Sequence, residues 1–141
     1  SDVYKRQVET YARTGEPSPT TVLLMAAARR DFFLTVQHGQ FYQGKPVIGY
    51  DLPGFGDELC GLPYLPRLIA KARAKLVGSM GDDIIYCCEN DRRFFRDHGN
   101  IHPADFLRVV WAAGDSDPKV YDYVRQRTLS VSSAVPDNEQ T

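Results

Sequence analysis

The chain has little of what marks the specialised protein classes. Three cysteines in 141 residues are too few for a disulfide scaffold. The longest apolar run, Val22 to Ala28, is far shorter than the roughly 20 residues a membrane-spanning helix needs. No secretory signal pattern is present. Neither sign of charge dominates: 17 Lys and Arg against 18 Asp and Glu give a net charge of −1. A dedicated nucleic-acid binder would carry a basic excess, so neither nucleic acid nor membrane is expected as a partner. The chain has no glycine-rich dinucleotide fingerprint, no P-loop and no nucleophile elbow. What is present is ordinary globular composition, 43% apolar and 25% charged, which excludes intrinsic disorder of the whole chain.

The chain opens on Ser1-Asp2-Val3-Tyr4-Lys5-Arg6-Gln7. One back-translation of Asp2 to Gln7 resembles the transposase end sequence ligated to DNA in shotgun library preparation. Residues 1–7 are therefore read as an adapter scar on an assembled metagenomic fragment and set aside from the fold. Residues 8–49 form an N-terminal segment: a polar linker to Ser18, then a helix. Ser18 is its expected N-cap and Pro19 its first residue. Val22, Met25, Ala26, Phe32, Phe33 and Val36 recur at helical spacing before Gly39, although Arg29 interrupts that face. A hairpin centred on His38-Gly39 is the competing reading. Gln43 to Gly56 is a Gly- and Pro-rich loop, and a domain boundary is expected near Tyr50.

Residues 50–128 read as a helical domain. Leu65, Leu68, Ile69, Ala72 and Leu76 make one apolar stripe behind Pro66, with Gly78 as the stop. Ile84 to Cys88 is a short strand or a buried extended link. Short helices follow, from Asp91 to Asp97 and from Pro103 to Gly114, the latter with Phe106, Val109, Val110 and Ala113 inward. A last helix opens at Asp117-Pro118 with Val120, Tyr121 and Val124 inward and Arg125 and Arg127 at its C-terminal end. Residues 129–141 read as a disordered tail. The fold class expected is all-α: a small domain of about four helices, an added N-terminal helical segment and a tail. About 80 residues give a marginal core. Packing by the N-terminal helix or a homodimer would complete it.

The stretch from Asp57 to Ala74, with Leu65-Pro66-Arg67 and Lys71-Ala72-Arg73, resembles the bacterial domain-of-unknown-function family 5069. The resemblance continues through Cys87-Cys88-Glu89-Asn90-Asp91-Arg92-Arg93-Phe94-Phe95 and Ala104-Asp105-Phe106-Leu107 to Ser116-Asp117, and covers roughly residues 51–127. It implies a small bacterial cytosolic domain and supplies no activity, cofactor or substrate. Ala70 stands where many members have an aspartate.

The candidate site is basic. Arg67, Lys71 and Lys75 are spaced by four, with Arg73 to the side, and no acid lies between Tyr64 and Met80. With Arg92 and Asp91, the residues Arg67, Lys71 and Arg73 are the expected ligand-binding set, suited to an anionic small molecule or an acidic protein partner. A solvated helix face paired with Asp57, Glu58, Asp82 or Asp83 would look the same. The alternative function is a small enzyme using Asp91 beside Arg67 and Lys71. Cys87, Cys88, His98 and His102 have poor zinc spacing, so no metal and no cofactor is expected. The cysteines read as buried small hydrophobes in a reducing cytosol. No histidine lies near Cys60 in the sequence to serve as its base. Asp57-Glu58 and Asp82-Asp83 read as turn and cap residues.

Overall fold

A computed structural model describes residues 17–139, with side chains through Ser132. The adapter-like heptapeptide and most of the linker after it lie outside the described residues. Five helices follow one another: α1 (Pro19–Thr35), α2 (Leu65–Val77), α3 (Glu89–Asp97), α4 (Pro103–Ala113) and α5 (Asp117–Glu139). Between α1 and α2 lie a 3-10 turn (Gly49–Asp51) and a small hairpin, β1 (Glu58–Leu59) and β2 (Leu62–Pro63).

The helices begin where local chemistry dictates. The Ser18 hydroxyl accepts from the Thr21 N–H, and Pro19 occupies the first turn of α1. Helix, not hairpin, is the state of 19–35. Its buried face is Met25 and Ala28, with Phe32 packed alongside; Val22 and Val36, expected inward, are exposed. Arg29 does not interrupt this packing, because its Nε donates to the Lys75 carbonyl at 3.2 Å and ties α1 to the end of α2.

The apolar stripe of α2 is the centre of the core. Leu65, Leu68, Ile69, Ala72 and Leu76 are all buried, as the spacing predicts. Phe94 and Phe95 of α3, Phe106, Leu107 and Val110 of α4, and Val120 and Val124 of α5 close over it. Met25 and Ala28 belong to the same cluster, so α1 packs into this core.

Two elements differ from the sequence reading, and at a third the structure takes the second of two expected alternatives. The hairpin falls between the Gln43–Gly56 loop and the helix behind Pro66, where no element is expected. Its Cys60-Gly61 turn has φ of 52° and 83°, the signature of a two-residue type I′ connection. Residues 84–88 form no strand. They run as an irregular link in which Ile84, Tyr86 and Cys87 are buried and Ile85 is exposed. Finally, α5 continues past Thr128, the expected helix end. The Thr128 hydroxyl donates to the Val124 carbonyl at 2.8 Å, and Leu129 lines a groove against the Cys60-Gly61 turn. Arg125 and Arg127 therefore sit within the helix, not at its C-terminal end. Among the described residues no helix is long and apolar enough to cross a membrane.

Candidate functional site

The N-terminal half of α2 faces the 83–90 link and the loop that carries Phe55. Together they enclose a pocket of about 210 Å³ lined by Phe55, Tyr64, Arg67, Lys71, Cys88 and Asn90, with Asp83, Ile84 and Ile85 completing the wall. Tyr64 precedes α2 in the left-handed region, at φ 76°. Cys87, in the link just before the wall residue Cys88, adopts the same region at φ 72°. Such backbone is costly for residues with a Cβ and persists where surrounding contacts impose it.

Those contacts converge on Asp91. It is the third residue of α3 and fully buried. One carboxylate oxygen accepts from Lys71 Nζ at 2.8 Å and from the Cys87 N–H at 2.9 Å. The other accepts a short hydrogen bond from the Tyr64 hydroxyl. The bond to Cys87 is a backward reach of the capping-box kind, one residue further than usual. Burial, reinforced by the hydrogen bond to Asp91 and its negative charge, pushes the Tyr64 phenol far above its ordinary range. Burial also pushes the neighbouring Cys87 thiol up to about 11.

Lys71 is 4% exposed. It is therefore not on a solvated basic face, and its partner is Asp91, not any of the four acids that the sequence suggests for such a face. Its ammonium also reaches Cys88 Sγ at 3.4 Å. An ammonium has three donors. Two are engaged by these partners, and Lys71 lines the pocket. Arg67, one turn before Lys71 on α2, lines the same pocket. Its guanidinium sits 4.2 Å from the Phe55 ring centroid and donates to the Pro53 carbonyl at 3.0 Å. Its Nε is buried without a partner. The first turn of α2 contains no acid, so Arg67 adds to the positive end of the helix dipole instead of opposing it.

The five residues expected as one site separate into three places. Arg67, Lys71 and Asp91 come together. Arg73 turns away, pairing with Asp117 at 2.5 Å and donating to the Gly114 carbonyl. Arg92 donates to the Cys87 carbonyl at 2.8 Å and lines a different cleft with Pro17, Thr21 and Phe95. Lys75 also leaves the stripe and faces α1. Phe55, Tyr64, Cys88 and Asn90 were not singled out as site residues by the sequence. Phe55, Cys88 and Asn90 join it only by tertiary approach to α2, whereas Tyr64 directly precedes that helix; Tyr64, Cys88 and Asn90 all stand in the stretches that carry the resemblance.

The remaining candidates have structural employment. His98 is stacked on Phe94 at 4.1 Å and its Nδ1 faces the Phe94 carbonyl. His102 accepts from the Ala104 N–H as the cap of α4. Among the described residues no three His, Cys, Asp or Glu are grouped to hold a metal ion. Asp57 accepts from the Gly54 N–H and Asp83 from the Gly49 N–H, both in turns. Cys87 is buried as expected, whereas Cys88 borders the pocket.

No curated protein and no solved structure matches the chain. A family model does match, over residues 56–134, more than half of the chain and the part that contains α2, α3 and the pocket walls from Tyr64 to Asp91. The chain therefore belongs to the family described as domain of unknown function DUF5069.

Proposed function

We propose that the chain is a small binding module whose pocket between α2 and the 83–90 link holds a small anionic ligand. The observation that carries this reading is that Arg67, whose Nε is left without a hydrogen-bond partner, and the buried Lys71 line one concavity. Buried donors are normally satisfied, and an orphan at a pocket wall is a place for a ligand acceptor. The charge count sets the ligand class. Lys71 is balanced by Asp91, and Asp83 in the wall offsets Arg67 in the overall count, but Arg67 is the lining cation without an ion pair among the described residues. A singly charged carboxylate or phosphate ester suits that field; a polyphosphate does not.

The enzymatic alternative, with Asp91 as acid or base beside Arg67 and Lys71, has less support. Both Asp91 oxygens are taken, and the group is 0% exposed. Its work is to hold Lys71 and Tyr64 in place. Calorimetric titration with acetate and with inorganic phosphate tests the reading. Saturable binding that Arg67→Gln weakens about tenfold or more supports it. Binding that is absent, or indifferent to Arg67, overturns it.

A further inference from the structure

A second concavity lies between α1 and the C-terminal end of α2 and shares no lining residue with the Arg67 pocket. Its volume is about 310 Å³. One half of its wall is apolar: Val22, Met25 and Phe33 of α1, with Phe41 packed on Phe33 at 4.8 Å between ring centroids. The other half is cationic: Arg29, Arg30 and Lys75. No carboxylate lines it. The four ion pairs among the described residues involve Lys71, Arg73, Arg93 and Arg108, so none of these three cations has an acidic partner there.

Arg29 is held close to the end of α2 by the backbone. Arg29 donates to the Lys75 carbonyl, and its guanidinium lies against Gly78, where a Cβ would meet it at 2.3 Å. Burial and the nearby Arg29 charge lower the Lys75 pKa, which is the response of an ammonium that lacks an anion. Like charges gathered at one rim, above an apolar floor, are complementary to an amphipathic anion. An inorganic ion would leave the floor wet, and a neutral apolar ligand would leave the cations unpaired.

We propose that this concavity is a binding site for a soluble carboxylate with an aliphatic tail. The head pairs with Lys75 and Arg30, and the tail lies on Met25, Phe33 and Phe41. Octanoate is the probe. Titration is carried out calorimetrically on the full chain carrying Arg67→Gln, so that the first pocket does not contribute. Octanoate is expected to bind saturably. Octanol and acetate are expected to bind about tenfold more weakly or worse, and Arg30→Gln or Lys75→Met to weaken octanoate by a similar factor. Arg30 is exposed, and methionine keeps the apolar stem of Lys75, so both variants retain the packing. Octanol binding as tightly as octanoate, octanoate binding unchanged by both substitutions, or no saturable binding overturns the proposal. Self-association by sedimentation that Arg30→Gln abolishes also overturns it, by assigning the face to a second copy.

Discussion

Lys71 and Asp91 set the character of the site at the scale of single residues. Both are buried, and their 2.8 Å contact leaves each charge dependent on the other. Removing one partner strands the other in a dry environment. Asp91→Asn is expected to lower unfolding free energy by about 3–5 kcal/mol in urea denaturation, whereas the double variant Asp91→Leu with Lys71→Met recovers most of that loss. A loss under about 1 kcal/mol for Asp91→Asn would show that the pair is solvated. Gly99 makes a different demand. Its φ is 95°, and a Cβ there would lie 2.6 Å from the Arg127 carbonyl oxygen. Gly99→Ala is expected to cost about 2 kcal/mol or more, read in the same assay, because strain and clash act together. The sequence placed Arg67, Lys71 and Asp91 in one hypothesis because their chemistry is complementary. It could not place Tyr64 or Cys88 beside them: Cys88 is 17 residues from Lys71, and the contact depends on how the 83–90 link folds back onto α2.

At the scale of elements, α2 carries the most. One face fills the core, its start forms one pocket and its end the other. Leu68 is fully buried in that face, so Leu68→Ala is expected to cost about 2–5 kcal/mol. Leu23→Ala on α1, at a side chain 70% exposed, is expected to change stability by no more than about 0.5 kcal/mol. Equal effects at the two positions would contradict the assignment of the core. The Arg73–Asp117 pair joins α2 to the first turn of α5, but both side chains are more than a third exposed, so it adds at most about 1 kcal/mol. The helices were legible because proline, serine and glycine mark their ends locally. The hairpin was not, because two-residue strands have no periodicity to read. The end of α5 was missed because Thr128 and the serines after it look like a tail, while Leu129 packs near the Cys60-Gly61 turn.

At the scale of the whole molecule, burial of titratable groups gives a pH signature. The Cys87 thiol is raised from 9.0 to about 11, and Tyr64 and Tyr86 are raised above 10.0, in each case first by burial. For an acid held protonated by the fold, the stabilisation is complete below the unfolded pKa and is lost as pH rises through the folded one. Thermal stability is therefore expected to fall between pH 9 and pH 11. Lys75, lowered by burial, works in the opposite sense, since its cost is relieved as pH rises toward 10.5. Cys87→Ala should flatten the loss, and an unchanged slope would show that Cys87 does not contribute. The composition had pointed only to a small globular chain without a dominant charge. Packing then separated its basic residues: Arg67 and Lys71 line one pocket and Arg29, Arg30 and Lys75 another, while Arg73 pairs with Asp117 and Arg92 lines a third cleft.

The most direct measurement of the central claim is a heteronuclear NMR titration of the full chain with acetate. Saturating shifts centred on the amides of Tyr64, Arg67, Cys88 and Asn90, and lost in Arg67→Gln, are the predicted result. Shifts that are absent, or that persist unchanged in Arg67→Gln, would contradict the assignment of the pocket as an anion site.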